Sequence, residues 1–209
     1  MRKIKKFKIP IYTYDILRKA KKRKIDLFAL GLADQESSRE YISSLAAALE
    51  PSTVFDLLAP EDELAKKDGP LRGEAGTLGV ITLGAAFEAK LKTITDPGLF
   101  ALAETAALVF SDTGLKVIAE LIGQEVSAEG LDLGTPRHVF AYPAPETEEP
   151  PTHQADAPAL ASVLARLGAD KIGVTMREDA VTPKYSLIFS IPWLAKKKAR
   201  ERESKRARE

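Results

Sequence analysis

Arg137 and Tyr142 are the residues of this chain best suited by type and spacing to hold a small acidic ligand. A guanidinium binds a carboxylate at two points, and a phenol offers an apolar face for stacking and a hydroxyl for hydrogen bonding. Both stand in a proline-framed stretch, residues 135–145, which we expect to run in extended form beside the core. The alternative is that Arg137 is a surface charge and Tyr142 a core residue with its hydroxyl at the rim.

Two carboxylates stand eight residues apart on the longest predicted helix, residues 99–128. Helical geometry places Asp112 and Glu120 close to one face. The segment is rich in alanine and leucine and apolar around much of its circumference, so it predicts the central core helix. The two acids are either capped and paired or in contact with a ligand, and spacing alone favours structural roles.

The sequence signatures of several enzyme classes are missing from this chain. It contains no nucleophile elbow, no His-Glu-x-x-His pair and no dinucleotide fingerprint. The apolar run 78–84 ends in glycine before a helix, but it lacks the lysine-hydroxyl signature of a phosphate-binding loop. The absence of cysteine excludes thiolate chemistry and fits a reducing cytosol, and two histidines disfavour a protein-built metal site.

Basic residues are concentrated at the two ends of the chain. Residues 1–24 carry eleven Lys or Arg and one acid, a net charge of +10, and residues 196–209 carry +5, whereas the whole chain carries only +1. Basic ends on an acidic body can meet nucleic acid, anionic lipid or an acidic protein. The basic helix predicted at 16–24 has no interleaved aromatic residues on which bases would stack, which disfavours nucleic acid.

Hydrophobic patterning predicts an α+β chain with a twisted, mainly antiparallel sheet packed with helices. The predicted strands are 5–14 (broken by Pro10), 52–58, 78–84, 171–176 and 185–191, the last two forming a closing hairpin. The predicted helices are 16–24, 38–49 (opened by a capping box from Ser37 to Glu40), 85–94, 99–128 and 159–167. No window has the length and apolarity of a membrane span or of a signal peptide, so we expect a cytoplasmic protein without membrane contact.

The order of these motifs resembles the activation domain of cobalamin-dependent methionine synthase in a stand-alone form. That family has the segment Arg-x-x-Pro-Gly-Tyr-Pro-Ala-x-Pro, with which Arg137, Tyr142, Pro143 and Ala144 are in register. The run 80–84 resembles the family's strand before its first central helix, and Asp112 and Glu120 match an Asp and a Glu on its long helix. Residues 172–176 and 180–186 resemble its closing hairpin with the Pro-x-x-Ser element.

The resemblance covers residues 9–193 and implies a single activation-domain-like domain. It leaves residues 1–8 as a basic N-terminal extension and residues 194–209 as a charged C-terminal tail. The implied fold is that of the methionine synthase activation domain, and the implied cofactors are S-adenosylmethionine and a cobalamin carried by another protein. The implied partners are a corrinoid-binding methyltransferase and a flavodoxin-like or ferredoxin-like electron donor.

The resemblance implies that the chain supports reductive reactivation, by remethylation, of a corrinoid methyltransferase. Arg137 would pair with the methionine carboxylate of S-adenosylmethionine, and Tyr142 would contact the ligand near its reactive methyl. The backbone at Val139 and Ala141 would supply hydrogen bonds, and Glu120 would meet a polar group or the cationic end. We expect this pocket beneath the core helix, with no acid–base catalyst.

One departure from the family pattern supports an alternative function. Where the family has Pro-Gly before the tyrosine, this chain has Phe140 and Ala141, and alanine adds a methyl group where backbone approaches the ligand. The alternative is a non-catalytic docking protein for a corrinoid protein or an electron donor that has lost methyl-donor binding.

Overall fold

An antiparallel sheet runs through the middle of the protein. The computed structural model describes residues 1–65, 75–141 and 157–196. The strands are β1 (Arg2–Lys5), β2 (Ser52–Leu58), β3 (Gly76–Thr82), β4 (Leu131–Leu133), β5 (Arg137–Ala141), β6 (Thr175–Arg177), β7 (Ala180–Thr182) and β8 (Ser186–Ala195). The sheet order is β1, β2, β3, β8, β4, and β5 pairs with β8 beside β4, while β6 and β7 form a separate hairpin.

The central strands are apolar because both faces of the sheet are covered. Every residue of β3 is buried, and so are the first seven of β8. A strand buried on both faces has no polar side to alternate with, so its sequence reads as a continuous apolar run. The prediction of a strand at 52–58 is confirmed, and the strand predicted at 78–84 lies two residues earlier.

Five α-helices of the described residues pack around the sheet. They are α1 (Thr13–Lys22), α2 (Gln35–Ala46), α3 (Ala85–Lys92), α4 (Pro97–Ala128) and α5 (Ala157–Leu167). The second half of α4 packs on one face of the sheet, where Leu115 and Ile118 lie in one cluster with Phe189 of β8. The opposite face is covered by α5, where Leu164 lies in one cluster with Ile188. The first half of α4 packs with α1, α2 and α3 in a third cluster.

Three predicted local structures differ in the protein. Residues 6–12 form neither helix nor strand, so the strand predicted over 5–14 is wrong. The capping box predicted at Ser37 is also wrong, because α2 starts two residues before it and the Asp34 carboxylate accepts the hydrogen bond from the Ser37 amide. The closing hairpin is formed by β6 and β7, and β8 instead joins β3 in the main sheet.

The basic segment 1–8, set apart by the sequence as an extension, supplies β1 at the edge of the sheet. The four residues of β1 pair with β2, and Lys3 lies opposite Val54. At the other end, β8 continues to Ala195, two residues into the segment predicted as a charged tail, and residues 197–209 lie outside the described residues.

The protein is therefore an α+β domain with an antiparallel sheet packed between helices, which confirms the predicted class. In the described part of the chain, no helix combines the length and the apolarity needed to cross a membrane.

Candidate functional site

Arg137 opens strand β5, beside the central strand β8. It is half-buried, and its Cα partner on β8 is Ser190. Ser190 lies between Phe189 and Ile191, which both pack beneath α4, so Ser190 and its partner Arg137 point to the opposite face, the one that α5 covers. The guanidinium therefore lies on the α5 side of the sheet.

On this face Arg137 ends a row of residues that crosses four strands. Ser190 is the partner of Leu78, and Leu78 is the partner of Asp56 on β2. The Asp56 carboxylate accepts a hydrogen bond of 2.7 Å from Arg166 of α5 and pairs with the amino group of Met1. Burial raises the pKa of Asp56, but these two cations outweigh it and hold the pKa below its ordinary value.

A β-bulge interrupts β5 immediately after Arg137. His138 pairs with Phe189 and Phe140 with Ile188, so Val139 has no Cα partner on β8. The extra residue of a bulge is left out of the hydrogen-bond ladder, and bulges are common beside active sites, where they redirect side chains. Val139 is 8% exposed and packs in the cluster under α5. The bulge thus leaves Val139 without a pairing partner on β8, while its side chain packs under α5.

The predicted site residues are brought together only in part. Arg137, Val139 and Ala141 share β5, whereas Tyr142, with the segment 142–156, lies outside the described residues. Glu120 is exposed on α4, across the sheet from Arg137, and the structure does not bring the two together. Beneath the second half of α4, the fully buried Phe189 of β8 packs in one cluster with Leu115 and Ile118.

Sequence reasoning missed His138, the residue of β5 that faces α4. Its Nε2 lies 3.9 Å from Oδ1 of Asp112, whose Oδ2 lies 3.5 Å from Nζ of Lys19. Burial lowers the pKa of His138; Asp112 opposes this shift and Lys19 reinforces it, and the net direction is down. The available signal was alternation, since the neighbour of Arg137 on a strand must point to the other layer.

The Pro-x-x-Ser element forms the turn that leads into β8. Ser186 donates a 2.6 Å hydrogen bond to the carbonyl of Pro183, and the amide of Lys184 donates one of 2.7 Å to Oε2 of Glu88 on α3. Tyr185 is buried and its ring meets that of Phe87 edge to face at 5.6 Å between centroids. These contacts fix where β8 begins, and hence the position of its partner β5.

Burial raises the pKa of Glu88, but its hydrogen bonds to Lys92 and to the Lys184 amide, with the positive charge of both side chains, outweigh burial. The pKa of Glu88 is therefore lowered. The turn is tied to α3 by an ionised carboxylate at neutral pH.

Two surface depressions lie apart from Arg137, although Asp112, in the lining of the first, lies 3.9 Å from His138 of β5. One, of about 370 Å³, runs between α1 and α4, and the other, of about 250 Å³, lies between Lys5, Gly84 and Pro183. Neither is lined by Arg137 or Val139. In the residues that the structure describes, no three of His, Cys, Asp and Glu are grouped so as to hold a metal ion.

Comparison with known proteins leaves the family open. The sequence matches no protein-family model and no curated protein.

Proposed function

We propose that this protein is an S-adenosylmethionine-binding module that supports reductive reactivation of a corrinoid methyltransferase such as cobalamin-dependent methionine synthase. We further propose that its α+β fold is that of the methionine synthase activation domain. The support is the motif order of that family, together with an antiparallel sheet and a 32-residue helix, α4, packed on it.

The observation that carries the proposal is the bulged strand β5. Arg137 at its start is half-buried, with Nη1 inaccessible to solvent, and charge-assisted hydrogen bonds are stronger away from water. The bulge at Val139 leaves backbone outside the ladder two residues further on. A guanidinium and an open backbone segment on one strand fit the carboxylate and amino groups of an amino-acid ligand.

The replacement of the family's glycine by Ala141 does not argue against binding. Ala141 lies in the extended strand β5, a conformation that any L-residue adopts without strain. The docking-only alternative therefore loses its backbone argument.

In this mechanism the residues of the protein bind and orient the methyl donor. By the family resemblance, Arg137 would hold the carboxylate of S-adenosylmethionine, the backbone at Val139 and Ala141 would orient the ligand, and Tyr142 would contact it near its reactive methyl. When bound, S-adenosylmethionine supplies an electrophilic methyl group to a corrinoid that a partner methyltransferase carries and a flavodoxin-like or ferredoxin-like donor has reduced. Positioning of this kind needs no general base.

Titration calorimetry with S-adenosylmethionine tests the site. We expect saturable binding by the wild type, and a loss of about tenfold or more in Arg137→Ala, since a charged hydrogen-bonded pair contributes roughly 1.5–3 kcal/mol. Arg137→Lys should recover only part of the affinity, because an ammonium lacks the planar set of N–H donors with which a guanidinium binds a carboxylate at two points.

The matched control is Arg177→Ala, which removes an exposed arginine from β6 and should bind like the wild type. Glu120→Gln should also leave binding unchanged, because Glu120 lies across the sheet. Absence of saturable heat with the wild type contradicts the proposal, and capture of a corrinoid methyltransferase without that heat supports docking alone.

A further inference from the structure

A groove between α1 and α4 is lined mainly by charged side chains. One wall carries Asp15, Arg18, Lys19 and Lys22 of α1, and the other carries Asp112 and Lys116 of α4. Its apolar and hydroxyl lining comes from Val109 and Thr113, and Tyr12 lies at one end. Four cations thus face one concave surface with two acids.

The two helices run antiparallel, which spaces these cations along the groove. Arg23 donates a 3.2 Å hydrogen bond to the hydroxyl of Thr105, whereas Lys19 lies beside Asp112, further along α4. Continuing in the same direction places the start of α1 near Lys116. Lys22 and Lys116 therefore lie toward opposite ends of a linear positive track, not around a single point.

Both acids of the groove are already paired. Asp15 lies 3.1 Å from Arg18, and Asp112 lies 3.5 Å from Lys19. Among the described residues, no carboxylate forms an ion pair with the exposed ammonium groups of Lys22 and Lys116. The track has a net positive charge that its own side chains leave uncompensated.

Two exposed aromatic rings stand at one end of this track. Tyr12 is 52% and Tyr14 75% exposed, and the guanidinium of Arg18 lies 6.0 Å from the centre of the Tyr14 ring. Exposed aromatic faces of this kind are available for stacking. The sequence disfavoured nucleic acid because the helix predicted at 16–24 has no interleaved aromatic residues. The helix in fact begins at Thr13 and includes Tyr14, whose ring lies beside Arg18, and Tyr12 directly precedes it.

We propose that the α1–α4 groove binds single-stranded nucleic acid. The phosphates follow the lysines along the groove, and bases stack on Tyr12 and Tyr14, the combination by which proteins hold single strands without reading sequence. Bases stack on tyrosine rings, whereas lipid headgroups do not, so the two rings beside the lysines favour a single strand over a membrane surface. His138 of β5 lies 3.9 Å from Asp112 of this groove, but Arg137 points to the opposite face of the sheet, so the role of the groove does not depend on methyl-donor binding.

Fluorescence anisotropy with labelled oligothymidylate of roughly twelve nucleotides, over a range of salt concentrations, tests the site. We expect binding that weakens as salt rises. The double variant Lys22→Ala/Lys116→Ala should reduce the slope of log K against log salt by about 1.4, since each single-strand phosphate contact contributes about 0.7. The double variant Lys90→Ala/Lys171→Ala, which removes two exposed lysines that do not line the groove, should keep the wild-type slope.

Tyrosine variants test the stacking. Tyr12→Ala/Tyr14→Ala should weaken binding by about fivefold or more with the salt slope unchanged, whereas Phe28→Ala, which removes another exposed ring, should have no effect. Arg137→Ala should bind the oligonucleotide like the wild type. A negative result for the groove therefore leaves the proposed methyl-donor site untouched, and a negative result for the methyl-donor site leaves the groove untouched.

Three results overturn the proposal. These are absence of binding at low salt, an equal loss in both lysine double variants, and lysine-dependent binding to phosphatidylserine vesicles without binding to the oligonucleotide.

Discussion

Gly79, in the middle of β3, lies where two large side chains close over the backbone. A Cβ at this position would lie 2.8 Å from Cε1 of Phe189 and 2.8 Å from Cβ of Phe55, closer than carbon atoms approach. Overpacking a filled core costs about 1–3 kcal/mol. We therefore expect Gly79→Ala to lower the free energy of unfolding by that amount, as measured by urea denaturation.

Gly123 is the matched control for that substitution. It lies within α4, and its added Cβ would meet only Cδ1 of Leu133, at an ordinary contact of 3.5 Å. Alanine is favoured over glycine in a helix interior by up to about 1 kcal/mol, so Gly123→Ala should stabilise the protein. Destabilisation of equal size by both substitutions contradicts the assignment of the Gly79 effect to packing.

The neighbourhood of a residue was predictable only where alternation is regular. The prolines and apolar residues predict an extended segment over 135–145, of which residues Arg137–Ala141 form β5 and residues 142–145 lie outside the described part of the chain. The bulge at Val139 changes the pairing by one residue, and a pattern with period two does not encode such an insertion. The contact of His138 with Asp112 and the separation of Arg137 from Glu120 both depend on which layer each side chain faces.

Helix α4 begins after Asp96, a residue type that commonly caps helix N-termini. The Asp96 carboxylate accepts a 2.8 Å hydrogen bond from the amide of Leu99, and Pro97 occupies the first turn, where its missing amide costs nothing. Asp96→Ala should lower the free energy of unfolding by about 1 kcal/mol, again from urea denaturation. Asp96→Asn, which keeps an acceptor oxygen, should retain most of the stability, and equal losses in both variants would assign the effect to charge.

Elements with strong local signals were predicted well, and those that depend on turn geometry were not. The β6–β7 turn places Glu178 and Asp179 at φ values of 48° and 62°. Hairpin turns of this kind normally contain asparagine, aspartate or glycine at both positions, so Glu-Asp gave no hairpin signal. Strand β8 was then paired with the wrong neighbour, because its apolar run alone does not distinguish β3 from a hairpin partner.

Stability of the whole molecule should fall in two stages as pH decreases. The lowered pKa of His138 means that the unfolded chain binds its proton first, so stability is lost as pH falls below about 6.5. For one histidine the slope is at most about 1.4 kcal/mol per pH unit. Glu88 and Asp56 have lowered pKa values. Their ionised forms therefore add to the free energy of unfolding when the pH is above their ordinary pKa values of 4.5 and 3.8, and this contribution is lost as the pH falls below them.

Urea midpoints measured from pH 8 to pH 3 separate the two stages. His138→Asn should remove the first stage and keep the second. Persistence of the first stage in His138→Asn would assign it to another group.

The basic N-terminal segment belongs to the domain, which decides how its function is tested. Residues 1–24 include β1 and α1, and Ile16 and Ala20 of α1 are fully buried in the helical cluster. Deleting the segment removes part of the core together with the charge. Substitution of individual lysines is therefore the measurement that reports on binding.

The length of α4 has a mechanical consequence. Its first half shares a core with α1 and α3, and its second half shares another with the sheet, so one continuous hydrogen-bonded rod anchors both. Local unfolding of either cluster should therefore disturb α4 and, through it, the other cluster. The helical part and the sheet should accordingly unfold in a single transition. A partner that binds at either end of α4 should stabilise both.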